Sequence, residues 1–409
     1  MKRLLSVALG VLTAIGGFVD IGDLVTNAEV GSRFGLSLAW VTVIGVVGIC
    51  VFSEMSGRIA AVSGRATFDL VRERLGPGMG MVNLLGSMAV TLLTFVAEIG
   101  GVSLAFQLIT GVDYLLLFPV VGVLVWVILW RAKFSHIENV FGMLGLGLLV
   151  FVVALFHLGP DWSQLGHSAL SFHPTRDESW ATWAYYGVAL FGAAMTPYEV
   201  FFFSSGGVEE KWGPKDVSVM RTNVFLGFPL GGLLSVAIAA CAYLVYYPLQ
   251  ASVDTLGQVG LPIALALGKI GLAIALLGFV AATFGAACET GLSTGYSIAQ
   301  YFGWQWGKFV RTDVAARFHL VILLATVLAM GVLATQVDPV MVTEASVVFS
   351  AVALPLTYFP ILVVANDPDY MGERVNGRVT NALGTVFLIV VTVAAVAALP
   401  LMVWTRMGA

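Results

Sequence analysis

Read for polarity alone, the chain is a succession of long apolar stretches joined by short polar connections. Stretches long enough to cross a bilayer, about 20 residues each, fall near 4–30, 36–61, 79–110, 115–131, 137–158, 181–205, 221–247, 261–300, 317–335, 340–363 and 379–404. The pattern predicts eleven membrane-spanning helices, an all-α polytopic protein. Two of these spans are interrupted. Gly22 follows Asp20 about two-thirds of the way along the first, and Pro197 breaks the sixth within Ala193-Ala194-Met195-Thr196-Pro197-Tyr198-Glu199. Proline removes a backbone donor and clashes with the preceding turn. Backbone groups freed at membrane depth are tolerated only where they line a protein-enclosed cavity.

The two breaks fall at matching places. Spans one to five and six to ten make two units of five, each opening on a broken helix, and because five is odd the second enters the membrane from the opposite side. This is the pattern of an inverted-repeat transporter with its site near the midplane. We expect one transmembrane domain over 1–409, with repeat one at about 4–158, repeat two at about 181–363 and an extra helix at about 379–404.

Composition agrees. With 59% hydrophobic and 11% charged residues and a mean hydropathy of +0.94, the chain is too apolar for a soluble protein with a charged surface. Its net charge of −4 and singly scattered Lys and Arg suggest neither a nucleic-acid partner nor a polybasic lipid anchor. Met1-Lys2-Arg3 before the apolar run Leu4 to Val19 resembles a secretory signal. Acids stand where a small-residue cleavage site would follow, so we read a retained first span. With a cytoplasmic N-terminus, sixteen Lys and Arg fall on the inner side and four on the outer, which orients the C-terminus outside in a plasma membrane. Cys50, Cys241 and Cys288 lie in separate apolar segments with no metal-ligand spacing and read as small buried residues. His167 and His173 sit in the outer loop near 159–180 and read as polar surface.

Acids inside a membrane are costly and mark ion or proton routes. Asp20 and Asp23 flank the first break, and an unwound Ala193 carbonyl with the Thr196 hydroxyl faces them from the second, giving an oxygen-only candidate metal set. We place Asp20 at the end of the first half-helix, where free carbonyls and a negative dipole end would call for a cation. Oxygen ligands favour hard ions such as magnesium, calcium or manganese. Met195 would offer a thioether if the unwound register differed by one residue. Two neighbouring carboxylates in a low-dielectric cavity titrate as a unit, so binding a divalent ion would release a proton. Glu98, Glu199 and Glu289 are further intramembrane acids with either a structural or an ion-route role, while Glu54 and Glu344 read as solvated helix ends.

The residues from Asp20-Ile21-Gly22-Asp23 through Thr26-Asn27 to Gly31 and Phe34-Gly35 resemble the signature of the Nramp divalent-metal transporters, in which Asp-Pro-Gly-Asn is followed by Thr-Asn, Gly and Phe-Gly. Ser63-Gly64-Arg65 with Leu70-Val71-Arg72-Glu73-Arg74 resembles that family's loop after the second span. Glu98 is similar to its third-span glutamate, and Met371-Gly372 resembles its loop before the last span. The resemblance implies a LeuT-like fold of inverted 5+5 repeats plus an eleventh helix, with a midplane metal site and, in most members, proton-coupled uptake of manganese or iron. It implies that Asp20 is the metal-binding aspartate.

Departures from the pattern point one way. Asp23 replaces the family's asparagine and Ile21 its proline. Thr196-Pro197-Tyr198 replaces Met-Pro-His, so a thioether ligand and a histidine linked to proton movement are missing in the ungapped register. Phe95 stands where many members have an acid, and the tenth-span glutamine aligns with Ser346 or Val347. We therefore expect a carrier of magnesium or manganese, with iron less favoured and proton coupling weakened, working as a monomer and needing no cofactor. The rival is a sodium- or proton-coupled amino-acid carrier of the same fold, which would need a roomy cavity and a positive half-helix end for a carboxylate. An intramembrane metalloprotease is excluded because none of the five histidines supplies H-E-x-x-H spacing.

Overall fold

The structure, a computed structural model, describes residues 18–132, 134–175 and 178–408, with backbone only over 134–139. The first part of span one, with Lys2 and Arg3, lies outside these residues, as do Lys133 and Arg176. The described residues are helical throughout, with no strand. In order they form α1 (Ile21–Phe34), α2 (Ala39–Ser63), α3 (Thr67–Thr110), α4 (Tyr114–Arg131), α5 (Phe134–Gly145), α6 (Val150–His157), α7 (Trp162–Ala169) and α8 (Trp180–Ala194). They continue as α9 (Pro197–Glu209), α10 (Val217–Tyr246), α11 (Leu256–Phe302), α12 (Ala316–Leu333), α13 (Pro339–Ala365), α14 (Pro368–Met371) and α15 (Arg378–Trp404). A 3-10 turn, Leu146–Leu149, joins α5 to α6.

Among the described residues, ten helices are long and apolar enough to cross a membrane, and they match predicted spans two to eleven. The chain is an integral membrane protein of the expected all-helical class. The third span begins earlier than the apolar pattern suggests. Gly64 ends α2 in the left-handed region (φ 67°), and Thr67 starts a helix that buries Phe68, Leu70 and Val71. Gly76 (φ 81°) then redirects the chain into the membrane segment at Pro77. The stretch expected as a loop around Leu70–Arg74 is thus an amphipathic helix. Likewise the outer loop near 159–180 contains α7, capped by the Asp161 carboxylate.

α1 sits at the centre. All its residues except Arg33 are buried, polar and apolar alike. A helix buried on every face belongs to the core, and α1 packs mainly on α10, then on α8, α11, α13 and α3. At the periphery, α15 leaves Val393, Val396 and Val403 exposed, as lipid-facing residues should be. Glu54 is not a solvated end. It is buried, 3.0 Å from Arg58 and 2.8 Å from Arg221, so two guanidiniums rather than water balance its charge.

Backbones meet directly where α8 crosses α13: a Cβ built on Gly192 would collide with the Val347 carbonyl. Gly192→Ala should therefore lose about 1–3 kcal/mol of stability through overpacking. Gly331→Ala, whose Cβ faces open space, should be neutral or gain up to about 1 kcal/mol. Melting followed by intrinsic fluorescence in detergent checks both.

Candidate metal centre

The first break lies two residues earlier than Gly22. Phe18 is helical, Val19 and Asp20 are not, and α1 starts at Ile21. Asp20 is extended (φ −98°, ψ −175°), and its Oδ1 accepts the Asp23 backbone N–H at 2.8 Å. It is the N-cap of the second half-helix. Its charge therefore meets a positive dipole end, which corrects the expectation that it faces the carbonyls of the first half. Gly22 is helical and serves close approach instead: a Cβ there would lie 2.8 Å from Val347 Cγ1 and 3.0 Å from Asp20 Oδ1.

Glu98 supports the same break. It is fully buried, and its Oε1 accepts the Ile21 N–H at 3.2 Å. Its Oε2 has no hydrogen-bond partner among the described residues. A third-span acid thus satisfies one orphan donor of α1 and keeps an acceptor open beside Asp20.

The second break falls at Met195 and Thr196, between α8 and α9. Pro197 occupies the position whose N–H would bond the Ala193 carbonyl in a continued helix, so that carbonyl has no helical donor. Thr196 is extended (ψ 131°), buried, and makes no cap bond through its hydroxyl. The Met195 carbonyl accepts the Tyr358 hydroxyl at 3.2 Å. Tyr358 is itself held by stacking on Phe52 at 4.2 Å between ring centroids. The Met195 sulfur is turned to α2, where a Cβ on Gly48 would lie 2.6 Å from it.

Tyr198 joins the breaks by donating its hydroxyl to Asp20 Oδ2 at 3.2 Å. Asp23 is bonded from two further directions. Its Oδ1 accepts the Asn27 amide at 2.8 Å and its Oδ2 accepts the Ser235 hydroxyl of α10. Glu199 and Glu289 are hydrogen-bonded to each other through their side chains, and Ser293, one turn beyond Glu289, donates to the Tyr198 carbonyl at 3.3 Å. Ser346 donates to the Thr343 carbonyl of its own helix at 2.8 Å, and its neighbour Val347 is the residue that reaches Gly22. Asp20, Glu98 and Tyr198 are therefore brought together, Glu199 and Glu289 form a second pair, and Asp23 and Ser346 are engaged by other partners.

Sequence reasoning missed Ser235 and Tyr358, which are far from their partners in sequence. It had the signal for Asn27, four residues after Asp23 and so on the same helix face. Among the described residues, no three of His, Cys, Asp and Glu converge as a metal-holding group. An ion at the breaks would have to be held by few carboxylates together with neutral oxygens.

The family model for "Natural resistance-associated macrophage protein-like" (Nramp) matches residues 10–400. The chain belongs to the Nramp family. Members are transporters and not enzymes. Similar relatives include the "Divalent metal cation transporter MntH" of Erwinia tasmaniensis, 24% identical over 396 residues and covering 92% of this chain and 89% of that protein. The protein of the same name from Aeromonas hydrophila is 25% identical over 390 residues, covering 92% and 90%. A crystal structure of a manganese transporter from Eremococcus coleocola superposes with a TM-score of 0.68 at 16% identity, covering 99% of this chain and 94% of that one. This Nramp chain thus shares the fold of a solved transporter.

The Asp23–Ser235 bond is open to direct measurement. Leaving a buried hydrogen-bond partner unsatisfied costs about 1–3 kcal/mol, so Ser235→Ala should lower stability by that order. The loss should shrink in an Asp23→Leu background, giving a coupling energy above about 0.5 kcal/mol in a double-mutant cycle of unfolding.

Proposed function

We propose that this chain carries a hard divalent cation, magnesium or manganese ahead of iron, across the plasma membrane by alternating access and without proton coupling. Asp20 is the anchoring ligand. The Ala193 carbonyl and the Thr196 hydroxyl supply neutral oxygens from the second break. Asp23 adds a carboxylate whose oxygens keep lone pairs beyond the bonds from Asn27 and Ser235. Glu98 holds the first break in place, and Glu199, Glu289 and Tyr198 line the route on the side of α9 and α11.

The observation that carries this reading is the Asp20 carboxylate itself, buried at the positive end of α1 and joined to the opposite break through Tyr198. The names of the relatives, divalent metal cation transporters, support the substrate class. The choice of hard ions rests on the donor set. Thr196 replaces the family's thioether, and the Met195 sulfur packs on Gly48. Lack of coupling rests on Tyr198 and Phe95, which replace a titratable histidine and an acid with side chains that carry no exchangeable charge near neutral pH. The N-terminus is inside, the C-terminus outside, and the monomer is the working unit, with residues of about 4–158 and 181–363 as its two opposed repeats.

Uptake into proteoliposomes tests the site. Asp20→Ala should cut magnesium and manganese uptake at limiting ion by at least tenfold, the equivalent of about 1.4 kcal/mol of ion affinity. Uptake by Asp20→Ala and Asp23→Ala equal to that of the parent would refute the ligand assignment. A pH dye sealed in the lumen tests coupling separately. It should report no acidification during metal influx, and acidification that scales with influx would contradict uncoupled transport.

A further inference from the structure

We propose that residues 405–408, beyond the last span, are a strap that closes the mouth of a cavity lined by Glu29, Glu344 and Val347, and that Arg33 is its latch. The metal reading above supplies the strap's purpose, but its geometry stands apart from that reading.

α15 ends at Trp404, and the chain then turns back on itself. Arg406 (φ 52°), Met407 (φ 64°) and Gly408 (φ 88°) are three consecutive left-handed residues, two of them not glycine. Such a run is rare and persists only where surrounding contacts hold it. The turn is closed by the Met407 N–H on the Met402 carbonyl at 2.9 Å and the Gly408 N–H on the Thr405 carbonyl at 3.0 Å. Glycine is required at its tip, since a Cβ on Gly408 would lie 2.7 Å from the Tyr186 hydroxyl oxygen.

The tip is tied to one guanidinium. Arg33 Nη1 donates to the Gly408 carbonyl at 2.7 Å and to the Tyr186 hydroxyl at 2.8 Å, while Nε donates to Glu178 at 2.9 Å. The Tyr186 hydroxyl in turn donates to Glu29. Four segments therefore meet at Arg33: the end of α1, the connection before α8, α8 itself and the chain after α15. Arginine suits such a hub because its planar fork presents five donors in fixed directions.

Beneath the strap lies a cavity whose lining includes Thr26, Glu29, Ala189, Glu344, Val347 and Met407. Met407 thus forms part of its cover. Val347 also packs on Gly22, and so belongs both to the cavity wall and to the surroundings of the first break. Its two carboxyl groups, Glu29 and Glu344, offer oxygen acceptors at this face. In this structure the latch is engaged, and the strap must leave for the cavity to open at this face.

Thiol labelling tests the strap without any metal. Cys50, Cys241 and Cys288 are buried, so Ala189→Cys provides a reporter in the cavity wall for a small water-soluble methanethiosulfonate. Labelling should be slow in the otherwise unaltered full chain and at least tenfold faster when Arg33→Gln or Glu178→Gln is added. Val403→Cys, on the exposed face of α15, should label at one rate in all backgrounds. If Arg33→Gln fails to give a monodisperse protein, Glu178→Gln decides. An unchanged Ala189→Cys rate in the latch variants would overturn the proposal. That outcome leaves the metal reading intact, and a failed uptake assay leaves this one standing.

Discussion

Water is absent at membrane depth, so every backbone group released by a helix break needs a partner within the protein or its cargo. Both interrupted helices here obey that constraint with side chains drawn from elsewhere in the fold. Asp20 takes the Asp23 N–H, Glu98 takes the Ile21 N–H, and Tyr358 donates to the Met195 carbonyl. The Ala193 carbonyl, whose helical donor Pro197 lacks, is left beside them. On the proposed function, a cation bound there would satisfy a carboxylate and a freed carbonyl in one step.

The same constraint explains the chemistry of the donors. Tyr198 gives Asp20 a neutral hydrogen bond from the second break. The Met195 sulfur packs on Gly48 of α2. What remains at the breaks is oxygen, and oxygen donors of mixed charge select by ion hardness and size. Asp23 shapes the site from the side. Its carboxylate leans on Asn27 and Ser235 and so links α1 to α10, the helix against which α1 packs most extensively.

Much of this was legible in the sequence, because bilayer thickness fixes span length, and predicted spans two to eleven are long apolar helices among the described residues. The second break was legible to the residue, since proline cannot donate. The first was displaced: Gly22 drew attention as the breaker, whereas Asp20 ends the extended segment by capping α1, and Gly22 makes room for Val347. Glu54 was misjudged although Arg58 stands four residues on along the same helix, because its second partner, Arg221, comes from α10, whose contact with α2 no local pattern reveals. The Asp23–Ser235 bond spans 212 positions and was beyond reach for the same reason. The amphipathic start of α3 was hidden by its charged residues, which read as a loop until Phe68, Leu70 and Val71 are seen buried beneath them.

The central claim is that an oxygen site anchored by Asp20 holds a hard divalent ion. Calorimetric titration of the purified chain with magnesium, calcium, manganese, iron and cadmium tests it most directly. The account predicts binding of magnesium and manganese that is lost in Asp20→Asn, with no preference for cadmium over manganese. Cadmium binding far tighter than manganese, and abolished by Met195→Ala, would contradict it.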